Sequence, residues 1–146
     1  MNPEELIKDF PFKIKKVDHI GIAVKSLDES LGFYKTFLGV KDEDLIYDTV
    51  ETEGVKAVLF PFGETKFELL EALGPDSPIA KFIDKRGEGI HHISLEVDSI
   101  AEAIDKVNED KQMTITENYR IGAGGHKVVF LHPKNTGRVL IELAEH

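Results

Sequence analysis

The sequence predicts an α+β fold made of two tandem βαβββ modules related by pseudo-two-fold symmetry. Three observations carry this. Asp18-His19-Ile20-Gly21-Ile22-Ala23-Val24 is matched by His91-His92-Ile93-Ser94-Leu95-Glu96-Val97, an offset of 73 residues (19 to 92). Each copy runs into the same helix start at the same offset, Ser26-Leu27-Asp28-Glu29 and Ser99-Ile100-Ala101-Glu102. Both are capping boxes, in which the serine hydroxyl and the glutamate three residues on satisfy orphan N–H groups. The apolar period then changes from strand to helix, with Leu27, Leu31 and Tyr34 matching Ile100, Ile104 and Val107.

The elements follow in order. Residues 1–14 are expected to form a short helical arm. A strand over 17–24 leads to a helix over 27–38 that stops at Gly39, and strands are expected near 45–51, 55–61 and 65–71. Ser77-Pro78 places an N-cap before a proline at the first helical position. It opens a linker helix over 78–86, outside the repeat, that ends at Gly87. The second module gives a strand over 91–97 and a helix over 100–110, then strands near 113–118, 126–132 and 138–144. Lys56–Phe60 resembles Lys127–Leu131 at an offset of 71, and Phe67-Glu68-Leu69 resembles Ile141-Glu142-Leu143 at an offset of 74. Turn insertions produce such small differences. The chain therefore reads as one domain, 1–146, with module one at about 16–74, the linker helix at about 77–87 and module two at about 89–146. A unit of this size buries its sheet poorly alone, so the two modules pair.

Composition excludes several function classes. With 41% hydrophobic and 31% charged residues, the 146-residue chain is globular rather than disordered. It has no Cys, which removes disulfides and thiolate chemistry. No apolar run approaches the roughly 20 residues of a membrane span. The acidic first ten residues lack the features of a signal peptide, so a cytoplasmic protein is expected. A net charge of -9 argues against nucleic acid as a partner.

Strand alternation sorts the side chains. Ile20, Ile22 and Val24 form a packing face, which leaves His19 with Gly21 and Ala23 on the other. Ile93, Leu95 and Val97 leave His92, Ser94 and Glu96 opposite them. In the closing strands, Glu68 opposes Phe67 and Leu69, and Glu142 opposes Ile141 and Leu143. Each module thus contributes one histidine and one carboxylate to the face without the apolar stripe, and pairing the modules turns His19, Glu68, His92 and Glu142 toward a shared cavity. Two histidines and two carboxylates around one point make a divalent metal site, and mixed N/O ligation suits Co2+, Ni2+, Mn2+, Zn2+ or Fe2+. The same alternation puts His91 on the packing face as a structural histidine. It also leaves Glu96 about 13 Å along the strand from His92, too far to be a ligand. Gly122-Ala123-Gly124-Gly125 reads as a mobile loop over the cavity, with Lys127, Lys134 and Arg138 the nearest basic residues. His132 reads as structural or as a support near the site; His126 and His146 receive no role.

These features resemble the vicinal-oxygen-chelate (glyoxalase) superfamily, and within it the methylmalonyl-CoA epimerase family. The carrying segments are Asp18–Val24, Thr65–Glu71, Asp76–Phe82, Gly87–Ile93, Ile121–Gly125, His132-Pro133-Lys134 and Val139–Leu143. The resemblance implies a cupped mixed sheet around a metal site, the glyoxalase-like fold. It implies one divalent metal per chain, foremost Co2+, held by His19, Glu68, His92 and Glu142. The implied substrate is a CoA thioester, whose two C2 epimers interconvert through a metal-stabilised enolate, and a homodimer is expected. Lys127, Lys134 and Arg138 become candidates for the CoA phosphates or the malonyl carboxylate. In the family, the glutamate matching Glu142 is both ligand and candidate base. The chain departs from some relatives, which carry a glutamate where it has Ala57 and a glutamine where it has Glu68. Glu68 is therefore expected to act as the second acid/base. The alternative readings are glyoxalase I, which shares the ligand logic, an extradiol dioxygenase, against which the fourth candidate ligand counts, and a non-catalytic small-molecule-binding protein of the same fold.

Overall fold

A computed structural model of the chain describes residues 13–109, 113–115 and 118–146. The expected helical arm at 1–14 lies almost wholly outside them. The strands are β1 (Ile14–Ala23), β2 (Ile46–Val50), β3 (Val55–Phe62), β4 (Thr65–Ala72), β5 (Gly89–Val97), β6 (Arg120–Ile121), β7 (Lys127–Phe130) and β8 (Ile141–Glu145). The helices are α1 (Leu27–Leu38), α2 (Pro78–Arg86) and α3 (Ile100–Val107). Among the described residues the strands form one mixed sheet in the order β2-β3-β4-β1-β5-β8-β7-β6. The order shows the βαβββ repeat. β1 runs parallel to β4 and β5 parallel to β8, and the two halves meet where β1 and β5 pair antiparallel.

The serine caps set the helix starts. Ser26 Oγ accepts from the Glu29 N–H at 3.3 Å, Ser99 Oγ from Glu102 at 3.2 Å and Ser77 Oγ from Ile79 at 3.1 Å. Gly39, at φ 72°, closes α1 in the left-handed region that glycine adopts without strain. One core lies under α1, with Leu27, Leu31, Val58, Phe60 and Leu69 buried. Its counterpart under α3 joins Val97, Ile100, Ala103, Val129 and Leu143. α2 packs Ile79 against Ala23, Ala57 and Leu70.

The second module departs from the expectation in its third element. The strand near 113–118 is not formed by its described residues. Only Thr114 pairs, in an isolated bridge to Leu131, and the edge is taken by the two-residue β6. Asn108 explains this locally: its side chain accepts the N–H groups of Met113 and Thr114 and donates to Thr114 Oγ1, tying the start of this segment to the end of α3. α3 ends at Val107, with the helix expected to reach 110.

The central pair carries three irregularities, two of which position the site. Along β1 and β5, Val17 faces Leu95 and His19 faces Ser94, so one extra residue, Asp18, sits in β1. Gly21 faces His92 and Ile22 faces Ile90, so one extra residue, His91, sits in β5. Each bulge precedes a histidine, and they are 73 residues apart, as the repeat is.

Candidate metal centre

His19, Glu68, His92 and Glu142 come from the four central strands. Gly21 of β1 faces Glu68 of β4 on one side and His92 of β5 on the other, and Ser94 of β5 faces Glu142 of β8. All four side chains are buried, and all four line one cavity of about 610 Å³. His19 Nε2 lies 3.1 Å from His92 Nε2. Glu68 Oε1 is 3.6 Å from His19 Nε2 and 3.4 Å from His92 Nε2. Glu142 Oε1 approaches His19 Nε2 at 3.5 Å. One ligand atom each from His19, Glu68 and His92 fall within 4.8 Å of one another. Glu142 joins this trio from the side, with Ser94 Oγ–H donating to its Oε1 at 2.8 Å.

The outward nitrogens of both rings are engaged. Asp18 Oδ2 lies 2.7 Å from His19 Nδ1, and His91 Nδ1 lies 2.9 Å from His92 Nδ1. A carboxylate can only accept, so His19 Nδ1 carries a proton. Both Nε2 atoms then point at each other and at Glu68. Burial alone would raise the Glu68 carboxyl, but the His92 ring beside it and the charges of His19 and His92 outweigh it and hold the group below its ordinary value. Burial opposes charge on His19 too, yet the Asp18 hydrogen bond and the charges of Glu68 and Glu142 raise it. Asp18 behaves like Glu68: burial is outweighed by the His19 hydrogen bond and by the charges of His19, His146 and Lys66, and its carboxyl sits far below the carboxylate range. Buried carboxylates crowd two imidazoles that share one cramped centre, a donor set with an unmet demand for positive charge. Two Nε2 atoms, a carboxylate between them and supported outer nitrogens are what a divalent cation takes.

Other residues at the cavity depart from strict alternation or from any local pattern. His91 is not on the packing face. The bulge turns it to the cavity wall beside His92, with Phe82 edge-on to its ring at 5.1 Å between centroids. Burial, then the neighbouring His92, push it down to about 4, so it is neutral near pH 7. Asp18 reaches the cavity through the matching bulge. A signal was present in both places: two adjacent polar residues in an apolar strand cannot share a face under strict alternation. His146 was without a role, yet its Nε2 lies 3.0 Å from Asp18 Oδ1 and its ring stacks on His126 at 3.8 Å. The glycine loop does border the cavity, where Gly124 N–H donates to Asp48 Oδ2 at 2.8 Å. The lysine and arginine on the cavity wall are Lys66 and Arg120; Lys127 instead faces Glu145 at 3.8 Å and the Tyr119 ring.

Gly21 is a packing requirement. A Cβ there would lie 2.2 Å from His92 Cε1 and 2.5 Å from Nδ1. Gly21→Ala is therefore expected to push the His92 ring out of place and cost about 1–3 kcal/mol, as overpacking does. Urea unfolding of the metal-free protein checks this, and unchanged stability would contradict the close ring-on-backbone contact.

The family model of the Glyoxalase/Bleomycin resistance protein/Dioxygenase superfamily matches residues 18–130. The mitochondrial methylmalonyl-CoA epimerase of Homo sapiens is 38% identical over 144 residues, covering 98% of this chain and 81% of the relative. A hypothetical protein from Bacillus halodurans superposes with a TM-score of 0.84 at 45% identity, covering 93% of this chain and 95% of its own. A methylmalonyl-CoA epimerase solved in complex with methylmalonyl-CoA and NH4+ superposes with a TM-score of 0.83 at 30% identity, covering 91% and 95%. Together with the repeated βαβββ topology, these matches place the chain in the glyoxalase/bleomycin resistance protein/dioxygenase superfamily and, within it, in the methylmalonyl-CoA epimerase family.

Proposed function

We propose that the chain interconverts the (2R) and (2S) epimers of methylmalonyl-CoA by removing and returning the C2 proton, with His19, Glu68, His92 and Glu142 around one divalent metal. The observation that carries this is the buried His-Glu-His trio with Glu142 beside it, facing one cavity in a member of this family. C2 lies between a thioester and a carboxylate, so its proton is moderately acidic and its removal leaves charge on the flanking oxygens. When bound, a divalent cation supplies positive charge for those oxygens. The protein's own groups move the proton. Glu142, held by Ser94, accepts it on one face, and Glu68, once it has taken a proton from solvent, returns one on the other. Return from the opposite face inverts C2. Leu59, Leu70, Ile79 and Phe130 on the cavity wall exclude water and strengthen the charge interactions inside. Each module supplies one histidine and one glutamate, in keeping with the division at about 16–74, 77–87 and 89–146.

Family membership also supports a homodimer and Co2+ as the metal, to which this N/O donor set is suited, and likeness to a bacterial epimerase of Cereibacter sphaeroides fits a cytoplasmic location. No described helix is long and apolar enough to cross a membrane. Paired glutamates also suit glyoxalase I, so the substrate is tested by giving Co2+-loaded protein either methylmalonyl-CoA or the glutathione hemithioacetal of methylglyoxal. Turnover of the CoA thioester is expected, without comparable isomerisation of the hemithioacetal. The reverse preference would overturn the epimerase reading.

A further inference from the structure

We infer that His91 is a positioning residue: it accepts the Nδ1 proton of His92 and so holds the His92 ring with a bare Nε2 aimed at Glu68 and His19. This rests on the metal-centre reading and adds a residue to it. The geometry is internal to the fold. Asp18 and His91 occupy the same place in the two modules, each the extra residue of a bulge one position before the inward histidine. Each lies on the outer nitrogen of that histidine, Asp18 Oδ2 at 2.7 Å from His19 Nδ1 and His91 Nδ1 at 2.9 Å from His92 Nδ1. A contact between two ring nitrogens at 2.9 Å requires one to donate and the other to accept. With both inner Nε2 atoms 3.1 Å apart and next to a carboxylate, a His92 proton on Nδ1 leaves its Nε2 free to accept from His19. His91, held edge-on by Phe82 with its Nδ1 on that of His92, is then the acceptor. The two modules reach one end by different chemistry, a carboxylate behind His19 and an imidazole behind His92. Orientation and tautomer of a ligating histidine are set by such partners.

The roles separate by substitution. His91→Phe keeps a ring against Phe82 and His92 but removes the acceptor, whereas His91→Asn puts an amide oxygen near the place of Nδ1. Metal-free protein is titrated with Co2+ by calorimetry and by visible absorption, with circular dichroism to confirm the fold. His91→Phe is expected to weaken Co2+ binding about 10–100-fold and to alter the Co2+ absorption bands. His91→Asn is expected to recover most of the affinity and the wild-type bands. Phe binding Co2+ as tightly as the wild type, or Asn as weakly as Phe, would overturn the inference. The tautomer of His92 in metal-free wild-type protein, read from 15N ring shifts, decides independently of any variant's folding. The Nδ1–H form supports the role and the Nε2–H form overturns it. A wild-type chain that binds no Co2+ removes the metal centre instead, a separate outcome because the tautomer is read without metal.

Discussion

His92→Ala is expected to remove Co2+ binding almost entirely, by more than the roughly 10–100-fold that losing an outer partner costs. The ring occupies the middle of the cluster, 3.1 Å from His19 Nε2 and 3.4 Å from Glu68 Oε1, and packs closely against Gly21. Of the four clustered side chains, Ala in its place leaves His19 and the two carboxylates. His91→Ala, by contrast, is expected to weaken binding without abolishing it, because it removes support and not a ligand. Calorimetric titration of both variants beside the wild type checks the order. Equal losses would mean that His91 ligates the cation directly.

The second large effect is on chemistry. Glu142→Gln keeps the size of the side chain and an oxygen that can accept from Ser94 Oγ–H, but removes the group that takes a proton. Metal binding is expected to persist while epimerisation falls about 10²–10⁴-fold, the usual contribution of a general base. Glu142 suits the dual role because it meets the trio through one 3.5 Å approach to His19 and is tethered by Ser94 instead of lying between the two rings. Glu68→Gln is expected to cause a loss of the same order, since Glu68 is the acid on the other face. With Glu68→Gln fully active, the second proton carrier would have to be sought elsewhere on the cavity wall, where Asp48 and Glu53 also stand.

Much of this was legible in the sequence, and where it was not, the reason is physical. Ser26 and Ser77 as caps, with Gly39 and Gly87 as stops, marked α1 and α2 with their bounds, because caps are local chemistry. Alternation turned His19, Glu68, His92 and Glu142 to one side, where they line one cavity, because apolar neighbours fixed the phase of each strand. It failed at Asp18 and His91, where an inserted residue breaks the period of two. A bulge is a relation between two strands, visible only in their register. It failed again near 113–118, where Asn108 reaches across the chain to tie down Met113 and Thr114. His146 and His126 meet Asp18 and each other only through the closing of β8 and the glycine loop, which no local pattern encodes.

The central claim is that carboxylates of this cavity take and return the C2 proton of methylmalonyl-CoA. Its most direct test is solvent exchange. Co2+-loaded protein is incubated with one epimer of methylmalonyl-CoA in D2O, and C2 is followed by proton NMR and mass spectrometry. Deuterium is expected at C2 of both epimers in the wild type, with exchange confined to one epimer in Glu142→Gln and to the other in Glu68→Gln. Retention of the C2 proton by wild-type protein that demonstrably holds its metal would contradict the claim.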